Sequence, residues 1–114
     1  MTELSDAEDK KLVTLARSTR ARTAAAEGAC VRDLDGRTYA GASVDLASLR
    51  LSAVQLAVAM AVTSGAKGLE AVVVLGESAA LEESDMSVVR EFAGAGVPVH
   101  LAAPDGTVLQ TLAT

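Results

Sequence analysis

LRLSAVQLAVAMAVTSG, residues 49–65, is apolar nearly all the way round a helix. Leu51, Ala53, Val54, Leu56, Ala57, Val58, Ala59, Met60, Ala61 and Val62 leave Ser52 and Gln55 as its polar interruptions. A helix without a polar face belongs inside a protein or a membrane. With Arg50 near its start and Gly65 at its end, the stretch falls short of the roughly 20 apolar residues that a bilayer requires. It therefore predicts a buried central helix packed against a sheet.

The flanking segments supply that sheet. Upstream, Gly28–Asp33 reads as a strand and Asp33-Leu34-Asp35-Gly36 as a hairpin turn whose Gly provides a positive φ. Arg37–Val44 is the returning strand. Thr23–Glu27 is a connector of small residues, and Ser5 to about Arg22 is a first helix. Ser5 and Glu8 have the spacing of a capping box, with Asp6, Glu8 and Asp9 at the positive end of the helix dipole. Leu12, Leu15 and Ala16 form its modest inward stripe. Downstream, Glu70–Leu75 (EAVVVL) is a continuous apolar run, as expected of a central strand covered on both faces. Gly76–Glu83 is a loop, and a helix starts at Ser84 or Asp85 and runs to about Ala93, where Gly94-Ala95-Gly96 ends it. Val97–Ala102 is the next strand, and Thr107–Leu112 is a last strand or short tail. A hairpin followed by crossover helices gives an α/β fold, a mixed sheet of about five strands with helices on its faces, in one domain of residues 1–114.

At 114 residues the chain can bury a core without disulfide or metal staples. Half of it is hydrophobic, yet Tyr39 and Phe92 are its only aromatic side chains, so the core must be built of Ala, Val and Leu. A net charge of -5 disfavours binding nucleic acid through the whole surface. The lone Cys30 cannot form an intramolecular disulfide, and no apolar leader is read at the start, which predicts a cytoplasmic protein and no membrane association.

Three groups of residues invite a chemical reading. Lys10, Lys11, Arg17, Arg20 and Arg22 follow the acidic start of the first helix. Dipole compensation accounts for them; the functional alternative is a patch at Arg17, Arg20 and Arg22 facing an anion, RNA or a ribonucleoprotein. Glu82, Glu83 and Asp85 precede a helix. They suit its N-terminal cap better than a Mg²⁺ or Ca²⁺ site. Cys30 and His100 have the chemistry of a nucleophile–base pair, but both lie mid-strand among apolar neighbours, where a buried thiol and a strand histidine are the simpler reading. Gly65-x-x-Gly68 and Gly94-x-Gly96 follow helices rather than precede them, so neither is a phosphate-binding loop.

Across nearly the whole chain, the order and spacing of several short motifs resemble the small, nucleoside-specific cytidine deaminases. Asp35-Gly36-Arg37-Thr38-Tyr39-Ala40-Gly41 is similar to that family's DGR-(apolar)-(aromatic)-x-G hairpin. Ser43-Val44-Asp45 stands where the family has Asn-Val-Glu, and Ala47-Ser48 where it has Ala-Ser. Ser52-Ala53-Val54 falls on the Cys-Ala-Glu opening of its central helix, and Leu81-Glu82-Glu83-Ser84-Asp85 on its Pro-Cys-x-x-Cys. Val88–Phe92, Val97-Pro98-Val99 and Pro104-Asp105-Gly106-Thr107 resemble the helix, strand and turn that follow.

The resemblance implies a three-layer α/β/α fold and assembly into dimers or tetramers. In such enzymes a zinc ion activates water, and a glutamate that is not a ligand moves protons while hydroxide attacks C4 of cytosine. Carried over residue by residue, the ligand positions are Ser52, Glu82 and Asp85, and the proton shuttle is Val54. Ser43 and Asp45 are the ribose-gripping positions, and the base-stacking aromatic maps near Ala25, where there is no ring. Serine is a poor zinc ligand, carboxylates favour harder ions, and valine cannot move a proton. The expectation is a catalytically inactive protein of this fold that acts by binding, in an interaction or regulatory role linked to a nucleoside, RNA or a ribonucleoprotein. It would work without a cofactor, as a homo-oligomer, and be open to a protein or ribonucleoprotein partner. The alternative is a cytidine deaminase with an atypical metal site.

Overall fold

The computed structural model describes residues 6–114. In chain order they form α1 (Ala7–Thr23), β1 (Glu27–Asp33), β2 (Thr38–Ala42), β3 (Val44–Asp45), β4 (Arg50–Leu51), α2 (Ala53–Thr63), β5 (Leu69–Gly76), α3 (Glu83–Ala93), β6 (Pro98–Ala102) and β7 (Val108–Ala113). Five strands make one mixed sheet in the order β2-β1-β5-β6-β7, antiparallel except between β5 and β6. β3 and β4 pair with each other, because the returning strand of the hairpin stops at Ala42 and the chain turns back through Leu46–Leu49.

Side-chain alternation assigns the two faces. Ala29 and Val31 of β1, with Val72 and Val74 of β5, pack beneath α2 and α3. Cys30, Ala71, Val73 and Leu75 face Leu12, Val13 and Ala16 of α1. β5 is thus buried on both sides, as its unbroken apolar run requires, and the result is a three-layer α/β/α fold. Two glycines let the helices approach closely. A Cβ at Gly28 would run into the Ala16 carbonyl and the Arg20 Cβ on α1, and one at Gly41 would lie 3.1 Å from the Ala57 nitrogen on α2.

Two expectations need correcting. Ser5 lies outside the described residues; α1 is capped by Asp6, whose carboxylate accepts from the Glu8 amide at 2.8 Å. The central helix is not buried all round. Ala53, Val54, Ala57, Val58 and Ala61 face the sheet, while Ala59, Met60 and Val62 are exposed and Leu56 is half-exposed. A single helix laid on a sheet beside one neighbour has an outer side, and here that side is apolar.

The layer under α1 also carries buried charge. Arg32 on β1 donates to Asp9 of α1 at 2.8 Å and to Glu70 of β5 at 3.2 Å. His100 on β6 places Nε2 3.2 Å from the other Asp9 oxygen and Nδ1 2.8 Å from the Thr111 hydroxyl of β7. Burial alone would make the Arg32 guanidinium easier to deprotonate, but the Asp9 and Glu70 carboxylates outweigh it and hold its pKa above the ordinary value. This network ties α1 to β1 and β6 directly and, through Arg32 and His100, to β5 and β7. Arg32→Met strands the Asp9 carboxylate in the interior and should lower stability by about 3–5 kcal/mol in urea unfolding. Glu70→Gln, at the exposed rim, should change it by less than about 1 kcal/mol.

Candidate functional site

The N-termini of α2 and α3 meet above the sheet. Ser52 is the N-cap of α2: its Oγ accepts from the Gln55 amide at 3.0 Å, and the Gln55 side chain accepts from the Ser52 amide at 2.8 Å. This closes a capping box. The same hydroxyl donates to Asp85 Oδ1 at 2.7 Å, across to the first turn of α3. Asp85 is buried, whereas Glu82, at the N-cap position of α3, is exposed and makes no side-chain cap, contrary to the capping role expected of it. Val54 is packed in the core against the sheet, 1% exposed.

Glu27 joins these groups from below. It opens β1 on the same face as Ala29 and Val31, and burial raises the pKa of its carboxyl, with the negative charges of Asp85 and Glu82 adding to the effect. Sequence reasoning left Glu27 in a connector. The usable signal was its alternation with Ala29 and Val31, two and four residues on.

Beside Glu27 opens a cleft of about 320 Å³ lined by Arg20, Ala26, Glu27, Ser43, Glu77 and Ser78. Ala24 ends α1 in the left-handed conformation (φ 54°), which turns the chain back so that the Ala26 carbonyl accepts from Arg20 Nε at 3.1 Å. The Ser43 hydroxyl is anchored by the Glu27 amide at 3.1 Å. Asp45, the other ribose-gripping position, lies outside the cleft lining, exposed and paired with Arg50 at 3.2 Å. The three arginines do not share one environment. Arg20 lines the cleft and Arg22 is exposed; Arg17 helps the Thr107 amide and hydroxyl hold the Asp105 carboxyl low. Cys30 and His100 are separated by Val73, which pairs with both, and burial pushes the Cys30 thiol up to about 12. They do not form a nucleophile–base pair.

Comparison with known proteins matches residues 5–106 to the family described as cytidine deaminase-like. The chain belongs to the cytidine deaminase-like family. Among solved structures, it is similar to the cytidine deaminase from Burkholderia pseudomallei, with a TM-score of 0.80 and 23% identity over 90% of each chain. The cytidine deaminase from Mycobacterium leprae gives 0.73 and 24% identity over 93% of this chain and 94% of that one. For that from Mycobacterium tuberculosis the values are 0.70 and 24%, covering 82% and 85%. No curated protein matches the chain. At these identities the structural likeness speaks for the cytidine deaminase-like fold.

The zinc ion implied by the resemblance does not fit the residues present. The Ser52 hydroxyl is committed to the capping box and to Asp85, and Glu82 is turned out to solvent. Among the described residues, no three His, Cys, Asp or Glu side chains converge in a way that would hold a metal ion. In this cytidine deaminase-like chain, a hydrogen bond joins two positions assigned to ligands.

Ser52→Ala removes a cap worth about 1 kcal/mol and leaves buried Asp85 without its donor, a further 1–3 kcal/mol or so. Thermal unfolding should therefore show a loss of about 2–3 kcal/mol, with Ser52→Thr recovering most of it. Glu27 acts in the opposite sense. Its folded pKa lies above the ordinary 4.5, so the folded state binds the proton more readily and stability falls as pH rises through that window. Glu27→Gln should match the parent below pH 4.5 and exceed it at neutral pH, by about 1 kcal/mol or less because solvent screens a half-exposed carboxyl.

Proposed function

We propose that this chain is a binding protein on the cytidine deaminase-like fold: it takes up a small polar molecule without deaminating it, and self-associates. The observation that carries the reading is the Ser52–Asp85 hydrogen bond of 2.7 Å. It engages two of the three positions at which the resemblance places zinc ligands, and a core valine stands at the proton-shuttle position. Deamination needs an activated water and a group that shuttles protons. Ser52, Asp85 and Val54 supply neither, so the reading assigns the protein no cofactor. A cytoplasmic location suits its single, buried cysteine.

Self-association is supported by the outer side of α2. Leu56, Ala59, Met60 and Thr63 recur at helical spacing, Val62 is 48% exposed beside them, and Leu46 and Leu49 are exposed on the loop before the helix. Exposed apolar side chains on one helix and on the loop before it suit a second copy of the chain. Among the described residues no helix is long and apolar enough to cross a membrane.

The test is a cytidine-conversion assay followed by base absorbance, with and without added zinc, on protein whose mass is measured by sedimentation. The expected result is no turnover in either condition and an oligomer that Met60→Glu converts to monomer. Turnover that a chelator abolishes would return the chain to the deaminases proper, and a parent chain that sediments as a monomer would remove the self-association.

A further inference from the structure

The cleft beside Glu27 is an unusual place for a nucleoside. Its one apolar lining residue is Ala26, and no aromatic ring lines it, so a base has no face to stack on. What it does present is charge of both signs held apart. Arg20, Glu27 and Glu77 all line it, yet among the described residues neither carboxylate forms an ion pair or hydrogen bond with Arg20 or any other group. Opposite charges facing one cavity without closing on each other leave a gap that a ligand carrying both signs can span.

The arrangement also sets an orientation. Arg20 spends only Nε on the Ala26 carbonyl, which fixes the guanidinium plane and leaves both terminal nitrogens to donate. That fork is the geometry that takes a carboxylate with two hydrogen bonds. The Glu27 carboxyl also lines the cleft; burial and the charges of Asp85 and Glu82 disfavour its charged form, and a bound cation would offset them. The Ser78 hydroxyl lies in the same lining and can serve a polar side chain, while the Ser43 hydroxyl bonds the Glu27 backbone. The cleft opens at the carboxyl end of β5, a strand of the parallel β5–β6 pair, which is where open α/β sheets receive ligands.

We infer that this cleft binds a small zwitterion of the α-amino-acid class, its carboxylate on Arg20 and its ammonium group on Glu27 and Glu77. The inference rests on the reading of the chain as a binding protein and names the ligand that such a protein would take.

The experiment titrates ¹⁵N-labelled protein with L-glutamine, and separately with acetate, methylammonium and cytidine, while following backbone amide resonances. L-Glutamine should shift the amides of Glu27, Ser43, Glu77 and Ser78 saturably, with acetate and methylammonium at least tenfold weaker because each satisfies one end only. Arg20→Gln should weaken L-glutamine binding at least tenfold. Because Arg20 also packs near Gly28, Glu77→Gln on the exposed loop is the second variant; it should weaken binding several-fold with the rest of the spectrum unchanged. Equal binding of acetate and L-glutamine, no shift with L-glutamine, or indifference to both variants would overturn the inference. Cytidine binding in place of L-glutamine, without turnover, would overturn the zwitterion and leave the binding-protein reading standing. Cytidine turnover would remove both.

Discussion

The hydrogen bond from Ser52 to Asp85 holds together the two helices that cover one face of the sheet. It works because each partner is already fixed for another reason. Ser52 is held by the capping box that starts α2, and Asp85 sits in the positively polarised first turn of α3. Neither side chain has to be ordered for the contact alone, so little conformational entropy opposes it. The N-termini of α2 and α3 therefore stay together over the sheet.

The two helical layers are attached by different physics. Beneath α2 and α3 the contacts are aliphatic, from Ala29, Val31, Val54, Val58, Val72, Val74 and Val89, and depend on excluded water and close packing. Beneath α1, leucines, valines and alanines share the interface with the Asp9–Arg32–His100 cluster, which demands specific partners in specific places. An aliphatic layer tolerates small shifts; a buried ionic one penalises them, since displaced charges lose their partners without regaining water. α1 is thus held in one register on the sheet, and that places Arg20, near its C-terminal end, at the cleft.

Much of this was legible in the residues. The EAVVVL run announced a doubly covered central strand, and the DLDG turn closed the first hairpin: Asp33 accepts from the Asp35 and Arg37 amides and from the Tyr39 hydroxyl. The resemblance assigned Ser52 to a ligand position and Val54 to the proton-shuttle position, and the structure places the first as a helix N-cap and the second in the core. What stayed hidden depends on contacts between distant segments. Nothing around Glu27 signals that its carboxyl comes near Asp85, more than fifty residues away. The apolar composition of α2 could not distinguish a helix buried on every side from one whose apolar outer side is exposed. Hydropathy measures the preference of a side chain for leaving water, not what will cover it.

The valine at position 54 has a consequence for how such a site can change. Its side chain is part of the dry interior, so the position serves packing. A carboxylate placed there by one substitution would lose the valine contacts and enter the dry interior, where a charge is costly to bury. Proton chemistry at this position would first require its neighbours to make room and offer hydrogen bonds. Each of those preparatory changes would weaken the core before it brought any benefit. In this scaffold, packing and acid–base function compete for the same few ångströms, and the competition makes the present state one that single substitutions do not easily leave.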